Sequence, residues 1–410
     1  MRHSKIWSAP TFGLAILAMT LALATEASAG RGVKVPHTFG GVATNPDGGL
    51  IADSDGNLYG TTSSGAHGGT VFELVRGSGG TWTYKVLHIF RVGGGTDPQG
   101  ALVLDQAGSL YGTTQMGGAH GEGIVFQLTP ASNAWTETVL HDFDPSSGDG
   151  ANPVGGLIFD NLGNLYGTTT LGGANGLGTV FELIPASNGW TETVLYSFAG
   201  GDDGAGPRGP VTFDSTGNLF GTTGGGGAFD DGVVFDLTPN SAGWTESVVY
   251  AFQGVDGLQP EGGLVFDSSG NMYGTTQSGG NEEQSGGGVA FELSPVAGDG
   301  WTERVLHRFR IHGGDGHAPN SALTFDRNGN LYGTTFFGGK YAYGTVFRLT
   351  FNSNGNWLES GMYSFTGGRD GSNPVGGVIL DQSGNLYGAT YYGGSGFSIA
   401  GDGVVFEVTP

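Results

Sequence analysis

The chain has 410 residues, with 37 acidic side chains against 15 basic ones and a net charge of −22. This charge argues against nucleic acid and anionic membrane surfaces as partners and favours cations or neutral ligands. The sequence contains no cysteine, which excludes disulfides and thiolate metal sites, so apolar burial and chain closure must stabilise the fold. The 84 glycines follow no Gly-X-Y period, which indicates tight turns and not collagen.

The first residues have the composition of a secretory signal peptide. Basic side chains precede an apolar run over residues 12–24, and Ala27 and Ala29 suit cleavage after Ala29. The apolar run is too short to span a bilayer comfortably. We therefore expect residues 1–29 to be a signal peptide and residues 30–410 to form one domain. The mature protein is expected to be secreted, periplasmic or at the cell surface, and not embedded in a membrane.

One short motif recurs through the rest of the chain. Tyr-Gly-Thr-Thr, or a close variant, occurs seven times, six residues after an aspartate and at intervals of 52 to 59 residues. A period of this size indicates a repeat array. The copies begin at Tyr59, Tyr111, Tyr166, Phe220, Tyr273, Tyr332 and Tyr387.

The third copy shows what each repeat contains. Between Gly155 and Phe198, turn residues separate four short segments of strand character, which are residues 156–159, 165–169, 179–183 and 190–198. Four antiparallel strands repeated seven times predict an all-β fold, a seven-bladed β-propeller with four antiparallel strands per blade.

The two ends of the chain predict how the ring closes. The last copy stops after its third strand, Val404–Val408, whereas residues 33–39 carry the His-x-Phe ending of a fourth strand. We expect this N-terminal strand to pair with Val404–Val408 and complete the seventh blade. Such closure leaves only short, protected strand edges.

Side chains that recur in every copy have structural explanations. The aspartates of the Asp-x-x-Gly turns, such as Asp53, can accept hydrogen bonds from turn amides. Tryptophans that begin the fourth strands, such as Trp82, are expected to pack between blades. His and Tyr interchange two residues before the fourth-strand Phe, as at His141 and Tyr196. This interchange favours a hydrogen-bonding position over a metal cluster.

Five loops between a fourth strand and the next blade share the pattern Asp-Gly-x-x-Pro. Their oxygen atoms could serve calcium, but the Asp-x-Asp-x-Asp spacing of dedicated calcium loops is absent. We interpret them as turns and expect no cofactor and no metal. The aspartates are Asp149, Asp203, Asp256, Asp315 and Asp370.

The full repeat resembles a known family. The pattern Gly-Gly-Leu-x-Phe-Asp-x-x-Gly-Asn-Leu-Tyr-Gly-Thr-Thr, followed by Gly-x-Val-Phe-x-Leu-x-Pro, is similar to the Gloeobacter/Verrucomicrobia-type (GloVer) tandem repeat of choice-of-anchor proteins. The likeness covers nearly all of the mature chain. It implies a bacterial exported repeat protein, and it brings no catalytic residue to this sequence.

Loops that differ between copies predict the face used for recognition. The turns between first and second strands have one length, whereas the loops between second and third strands vary, and binding residues concentrate in such loops. Aromatic pairs in copies six and seven suit a sugar ring or a peptide, with inward packing of alternate members as the alternative. The candidate ligand-binding residues are Phe336, Phe337, Tyr341, Tyr343, Tyr391, Tyr392, Phe397, His120, Asp230, Asp231, Glu282 and Glu283.

Catalytic motifs give little support to an enzyme. The sequence has no Gly-x-Ser-x-Gly, no His-Glu-x-x-His, no phosphate loop and no dinucleotide fingerprint. The acid pairs Asp230–Asp231 and Glu282–Glu283 would serve glycoside hydrolysis only if they faced one another across the axis. We therefore expect an exported non-enzymatic monomer that binds an extracellular glycan or protein. A hydrolase or lyase acting on extracellular polysaccharide and a cell-envelope scaffold are the alternatives.

Overall fold

The computed structural model describes residues 32–410, except residues 66, 92, 133, 282–285, 299 and 395–400. Its strands form seven antiparallel sheets, each built on four strands and arranged as the blades of a β-propeller. The fold predicted from the repeats is therefore confirmed. In the described part of the chain, no helix is long and apolar enough to cross a membrane.

Blades 1 to 6 use their strands in chain order from the central axis to the rim, whereas the outermost strand of blade 7 comes from the N-terminal part of the chain. Blade 1 comprises Ile51–Ala52, Leu58–Ser64, Thr70–Arg76 and Trp82–Ile89. Blade 2 comprises Val103–Leu104, Leu110–Thr114, Ile124–Pro130 and Trp135–Asp142. Blade 3 comprises Ile158–Phe159, Leu165–Thr169, Thr179–Ala186 and Gly189–Ser197. Blade 4 comprises Thr212–Phe213, Leu219–Gly226, Val233–Asn240 and Gly243–Ala251. Blade 5 comprises Val265–Phe266, Met272–Thr276, Val289–Val296 and Gly300–Arg308. Blade 6 comprises Thr324–Phe325, Leu331–Thr335, Thr345–Phe351 and Trp357–Ser364. Blade 7 comprises Ser372–Leu380, Leu386–Tyr392, Val404–Val408 and the N-terminal strand Val33–Thr38.

Shorter elements lie in the loops. Two 3-10 turns span Ser78–Gly80 and Pro145–Ser147, and the short strands are Thr44–Pro46, Gly95–Thr96, Met116–Gly117, Gly150–Ala151, Leu171–Gly172, Gly204–Pro207, Gly316–His317 and Phe337–Gly338. Three of these short strands, Met116–Gly117, Leu171–Gly172 and Phe337–Gly338, directly follow the second strand of their blade. Each of the other five pairs with the second strand of its own blade or with the short strand that follows it.

The strand bounds differ from the sequence prediction in the third blade. The first strand begins at Ile158 and not at residue 156, because the glycines before it pack against neighbouring blades. A Cβ atom added to Gly155 would lie 2.9 Å from the Gly209 carbonyl oxygen of the next blade. The third strand continues to Ala186, so the hairpin that follows is tighter than predicted.

The N-terminal strand closes the ring as predicted. Val33 pairs with Val408, and Thr38 with Val404, in an antiparallel ladder. Lys34 Nζ lies 2.6 Å from Glu407 Oε1 across this ladder. The seventh blade therefore joins the two ends of the chain.

A ring of phenylalanine pairs forms the core between blades. In each pair, a fourth-strand Phe of one blade meets a third-strand Phe of the next edge to face, with ring centroids 5.0 to 5.3 Å apart. Both rings are buried, and burying apolar surface is the main favourable term in folding. The pairs are Phe39–Phe72, Phe90–Phe126, Phe143–Phe181, Phe198–Phe235, Phe252–Phe291, Phe309–Phe347 and Phe365–Phe406.

The recurring Tyr, Trp and Asp side chains have the structural roles that the sequence predicts. The ring of Trp82 packs on Tyr387 of the preceding blade at 5.8 Å. The Tyr387 hydroxyl donates to Asp381, whose carboxylate also accepts from the backbone N–H groups of Ser383 and Asn385. Burial opposes ionisation of Asp381, but these hydrogen bonds outweigh it and lower the pKa of the carboxyl. The turn aspartates are therefore confirmed as turn-forming residues.

Candidate ligand-binding site at the axial mouth

Every blade begins with a segment that carries the chain from the rim to the axis. In each, a residue with φ between 55° and 63° precedes a buried proline. The N–H of this residue donates to the preceding blade, as from Asn45 to the Asp402 carbonyl oxygen at 2.8 Å. The proline packs on a glycine of that blade, since a Cβ atom on Gly69 would lie 2.7 Å from Pro98 Cδ. These contacts fix the direction of the residue after the proline.

The residue after each proline lies at the mouth of the central channel. Together these residues surround a cavity of about 230 Å³ on the variable-loop face, and we call them the axial ring. Below the mouth, glycine backbones from adjacent blades approach too closely for a Cβ atom at several positions, which narrows the channel. The axial ring consists of Asp47, Gln99, Val154, Arg208, Glu261, Asn320 and Val375.

A second ring of side chains borders the first. It is formed by the residue after each Tyr-Gly-Thr-Thr, and we call it the outer ring. Gln99 Nε2 donates to Gln115 Oε1 at 2.7 Å, and Gln277 Nε2 donates to Glu261 Oε2 at 3.2 Å, so the two rings are in direct contact. The outer ring consists of Ser63, Gln115, Thr170, Gly224, Gln277, Phe336 and Tyr391.

Acidic groups concentrate on the side of the mouth formed by blades 1 and 2. Burial, and then the negative charge of Asp97, raise the pKa of Asp47 to about 7. Burial also raises the pKa of Asp97, although Gln99 Nε2 donates to its carboxylate at 3.2 Å. Asp47 is therefore partly protonated near neutral pH.

The opposite side of the mouth carries an ion pair. Arg208 Nε lies 3.5 Å from Glu261 Oε1, and half of the Arg208 side chain is exposed. Burial raises the pKa of Glu261, and the Arg208 charge partly offsets this shift. Because Gly224 has no side chain, the space beside Glu261 stays open on blade 4. The mouth is thus polar on both sides, with two acidic groups on one side and an ion pair on the other.

The predicted aromatic pairs lie beside this mouth. The rings of Phe336 and Phe337 meet edge to face at 4.7 Å, and those of Tyr391 and Tyr392 do the same. In each pair the first ring is half-buried, while the second is about two-fifths exposed. Burial raises the pKa of the Tyr391 hydroxyl, and the charge of Asp47 adds to the shift. The second ring of each pair is therefore the more exposed one, and the effect of Asp47 on Tyr391 places this tyrosine near the axial ring.

The other predicted site residues are more scattered. Tyr341 is exposed under the Lys340 ammonium, whereas Tyr343 packs on Gly367 and the adjacent core. His120 Nδ1 lies 3.8 Å from an Asp144 oxygen. Phe397, Glu282 and Glu283 lie outside the described residues.

The acid pair Asp230–Asp231 has a local role in its loop. Asp230 accepts a hydrogen bond from the Gly226 N–H at 3.0 Å and has a φ of 60°. Burial and the charges of Asp256 and Asp230 raise the pKa of Asp231. Among the residues that the structure describes, neither aspartate lines the axial cavity.

The axial ring was missed by the sequence analysis, although the sequence contains a signal for it. When the repeats are aligned on their prolines, the following residue changes charge and polarity from copy to copy while the proline stays. Each proline by itself indicates a turn. The convergence of the prolines on one axis follows from ring closure, which brings distant residues together.

Larger clefts lie away from the axis. Clefts of about 370 to 650 Å³ open between neighbouring blades on the face of the Asp-x-x-Gly turns. They are lined by turn residues that recur from blade to blade, such as Asp53 and Asp381 in one and Asp160 and Asp214 in another. Because the axial mouth combines seven different blades in one cavity, we place the candidate site there.

Side chains able to ligate a metal occur elsewhere, at the junctions between fourth strands. There the His or Tyr that lies two residues before the fourth-strand Phe forms a hydrogen bond with the Asp of the following Asp-Gly-x-x-Pro loop. His141 Nε2 lies 2.8 Å from Asp149 Oδ2, and the Tyr250 hydroxyl donates to Asp256 Oδ2 at 2.6 Å. The next blade adds a glutamate, Glu192 in the first case. The His or Tyr position of the fourth strand and the Asp-Gly-x-x-Pro loop thus form one cluster.

Comparison with known proteins agrees with the repeat pattern. The model of the Gloeobacter/Verrucomicrobia repeat matches residues 45–287 and 267–410. The chain belongs to the Gloeobacter/Verrucomicrobia repeat family. No curated protein matches the sequence.

Solved structures similar to this member of the repeat family include three with named activities. A putative 6-phosphogluconolactonase from Bacteroides uniformis ATCC 8492 is 17% identical, with a TM-score of 0.53 and 82% of this chain and 88% of that chain covered. An ancestral GH74 enzyme is 14% identical, with a TM-score of 0.59 and coverage of 90% and 48%. An ulvan lyase of polysaccharide lyase family PL25 is 11% identical, with a TM-score of 0.52 and coverage of 90% and 95%. At such identities the likeness concerns the fold alone.

Proposed function

We propose that this repeat protein is exported, binds a glycan at the axial mouth and performs no chemistry on it. One observation carries the proposal. The residue after each proline differs in charge or polarity between most blades, while the prolines and most of the glycines around it recur. Variation in the lining of one cavity, on a repeated scaffold, is the pattern expected of a recognition site.

The chemistry of the mouth suits a sugar. Sugar hydroxyls both donate and accept hydrogen bonds, and the amide of Asn320 can do both in return. Gln99 Nε2 already donates to Asp97 and Gln115, so Gln99 offers its Oε1 as an acceptor. Asp47 is partly protonated near pH 7 and can therefore also donate. The cavity of about 230 Å³ lies below the usual range for drug-sized ligands, so it would take one end or one side chain of a larger glycan.

The aromatic side chains beside the mouth extend this surface. Tyr392 and Phe337 expose ring surface on the same face, 38% and 44% of each residue being accessible. Aromatic rings offer contact area at a low cost in conformational entropy, which favours stacking on the apolar face of a sugar. A glycan seated at the axis would then continue over blades 6 and 7.

A glycan array tests the proposal. We expect the mature protein to bind a defined set of glycans, and the double variant Gln99→Ala/Asn320→Ala to weaken binding at least tenfold. Asn161→Ala, an exposed substitution in an Asp-x-x-Gly turn, serves as the matched control and should bind like the wild type. A blank array at high protein concentration, or hits that the axial double variant retains in full, would contradict the proposal.

A hydrolase or lyase is the second candidate, and one observation favours it. Asp47 lines the mouth, the Asp97 carboxylate accepts a hydrogen bond from Gln99 beside it, and burial raises the pKa of both carboxyl groups. A protonated and an ionised carboxyl group in one site can act as an acid and base pair. If the array hits are also cleaved, with new reducing or unsaturated ends that Asp47→Asn abolishes, the protein is an enzyme.

A further inference from the structure

Two of the outer junctions between blades contain a histidine, an aspartate and a glutamate. They are His141, Asp149 and Glu192 between blades 2 and 3, and His307, Asp315 and Glu359 between blades 5 and 6. In each cluster the three potential ligand atoms all lie within 4.8 Å of one another. The clusters lie at the rim and are separate from the axial mouth.

We propose that the junction of His141, Asp149 and Glu192 binds a divalent transition-metal ion of the Zn²⁺ type, and that the second junction binds the same ion more weakly. The ion would take one imidazole nitrogen and two carboxylate oxygens, with water completing its coordination. Ligands at about 2.0 to 2.2 Å from a metal lie roughly 3 to 3.5 Å apart. The Nε2–Oδ2 distances of 2.8 and 3.3 Å therefore require only small side-chain shifts.

The first junction is held in a shape that suits an ion. Asp149 is buried, and its carboxylate accepts from the N–H groups of Asp144 and Gly150 at 3.1 and 2.6 Å, which fix its orientation. The His141 side chain is 20% exposed, so solvent can reach the cluster. Within the described structure, Glu192 Oε1 is buried and has no hydrogen-bond partner. One carboxylate oxygen of Glu192 lies within 4.8 Å of the ligand atoms of His141 and Asp149. A buried, unpartnered carboxylate oxygen is costly unless a proton or a cation accompanies it.

The second junction has the same ligands but a competing cation. Arg310 Nε lies 3.6 Å from Asp315 Oδ2, and the Arg310 N–H donates to the same oxygen at 3.2 Å. A guanidinium charge at this distance opposes the approach of a metal ion. The difference between the two clusters therefore predicts a difference in affinity.

Imidazole identifies the class of ion. Carboxylates alone would suit Ca²⁺ or Mg²⁺, whereas a nitrogen ligand favours Zn²⁺ and its first-row neighbours. The equivalent oxygens of Glu246 and Glu303 are also buried and unpartnered in the described structure, so this feature is common to several junctions. What distinguishes the two clusters is the histidine.

The chain supplies its own control for this proposal. Tyr196 and Tyr250 occupy the histidine position in the two intervening junctions and donate to Asp203 and Asp256 at 3.0 and 2.6 Å. Burial raises the pKa of both tyrosines, so they stay protonated and are poor ligands. Since the fold accepts tyrosine at this position, His141→Tyr and His307→Tyr should remove a ligand without unfolding the protein.

Calorimetric titration of the EDTA-treated protein with ZnCl₂ tests the proposal. We expect one tighter and one weaker site. His141→Tyr should remove the tighter site, and the His141→Tyr/His307→Tyr double variant should remove both while circular dichroism stays unchanged. His120→Ala controls for binding by an exposed histidine and should leave both sites. CaCl₂ and MgCl₂ should bind these sites at least tenfold more weakly.

Several results would overturn the proposal. They are no Zn²⁺ binding by the wild type at 100-fold molar excess, Zn²⁺ binding that survives in the folded double variant, and Ca²⁺ binding at equal affinity. If the double variant were misfolded, Co²⁺ would replace Zn²⁺ with the wild type. Visible absorption bands of imidazole-ligated Co²⁺ support the site, and their absence under saturating Co²⁺ contradicts it.

Discussion

The rings of Phe39 and Phe72 meet edge to face with their centroids 5.1 Å apart. Phe39 follows the N-terminal strand but belongs to the seventh blade, whereas Phe72 lies in the third strand of the first blade. The Phe365–Phe406 pair makes the same contact between blades 6 and 7. The ring of inter-blade contacts is therefore complete, and the N-terminal strand carries one of its seven links.

Phe39→Ala should destabilise the closed ring. Phe39 is 5% exposed, and truncating a buried phenylalanine costs about 3–5 kcal/mol. We expect a marked fall in the thermal midpoint and the appearance of oligomers in size-exclusion chromatography, because the edge of Val404–Val408 becomes easier to expose. Phe229→Ala, at a residue that is 56% exposed, should change neither property. Equal melting of the two variants would contradict closure through Phe39.

The first threonine of the Tyr-Gly-Thr-Thr motif should stabilise the junction of blades 3 and 4, but the equivalent threonine of blade 1 should not stabilise its junction. Thr168 Oγ1 donates to the Gly209 carbonyl oxygen of the next blade at 3.0 Å, and a hydrogen bond of this kind contributes about 1 kcal/mol. Thr61 occupies the same position in blade 1, but its buried Oγ1 has no partner in the described structure. Thr168→Val should lower the free energy of unfolding by about 1 kcal/mol, whereas Thr61→Val should be neutral or stabilising. Denaturant titration distinguishes the two, and equal losses would refute this difference.

The sequence predicted the architecture because each repeat carries local signals. Tyr-Gly-Thr-Thr, the Asp-x-x-Gly turn and the His-x-Phe ending of residues 33–39 each specify a strand or a turn within a few residues. The closing strand could be recognised because its pattern matches other blades. These signals depend on local geometry, which the sequence displays directly.

The site could not be predicted in the same way. Asp47 and Glu261 face one cavity only because seven blades close around one axis. The recurring proline before each of them marks a variable position but does not show that these positions converge. Likewise, Glu192 joins His141 from the next blade, at a position where the sequence shows only an alternating strand. The aromatic pairs were predictable as exposed loop residues, but the role of Tyr391 beside Asp47 depends on the axial segment of the first blade.

Closure by the N-terminal strand should weaken in acid. Burial lowers the pKa of His37 from 6.5 to about 4, and its ring stacks on Tyr84 at 3.8 Å. The folded state therefore binds fewer protons than the unfolded state between these values, and stability is lost as pH falls from 6.5 towards 4. His37→Tyr removes this titration. The fold should accept the substitution, since tyrosine occupies the equivalent position in three other blades. Between pH 7.5 and 4.5 the wild type should lose more of its thermal midpoint than the variant, and parallel losses would exclude His37.

Glu246 should make the folded state less stable as pH rises, which is the opposite of the effect of His37. Burial, followed by the charges of Asp203 and Asp236, raises its pKa from 4.5 to about 7. The folded state holds this proton more tightly, so the stabilisation is fully present below about 4.5 and is lost as pH rises through about 7. Glu246→Gln should therefore raise the thermal midpoint at pH 8 by a few degrees relative to the wild type, and have less effect at pH 5. An equal effect at both pH values would show that the carboxyl group does not titrate in this range.

A crystal structure of residues 30–410 with the best-binding glycan tests the proposed site most directly. We predict sugar density at the axial mouth, with hydroxyl groups within hydrogen-bond distance of Gln99 or Asn320 and a ring against the aromatic pairs of blades 6 and 7. Density confined to a cleft on the opposite face, such as the one lined by Asp53, Arg76 and Asp381, would contradict the axial mouth as the recognition site.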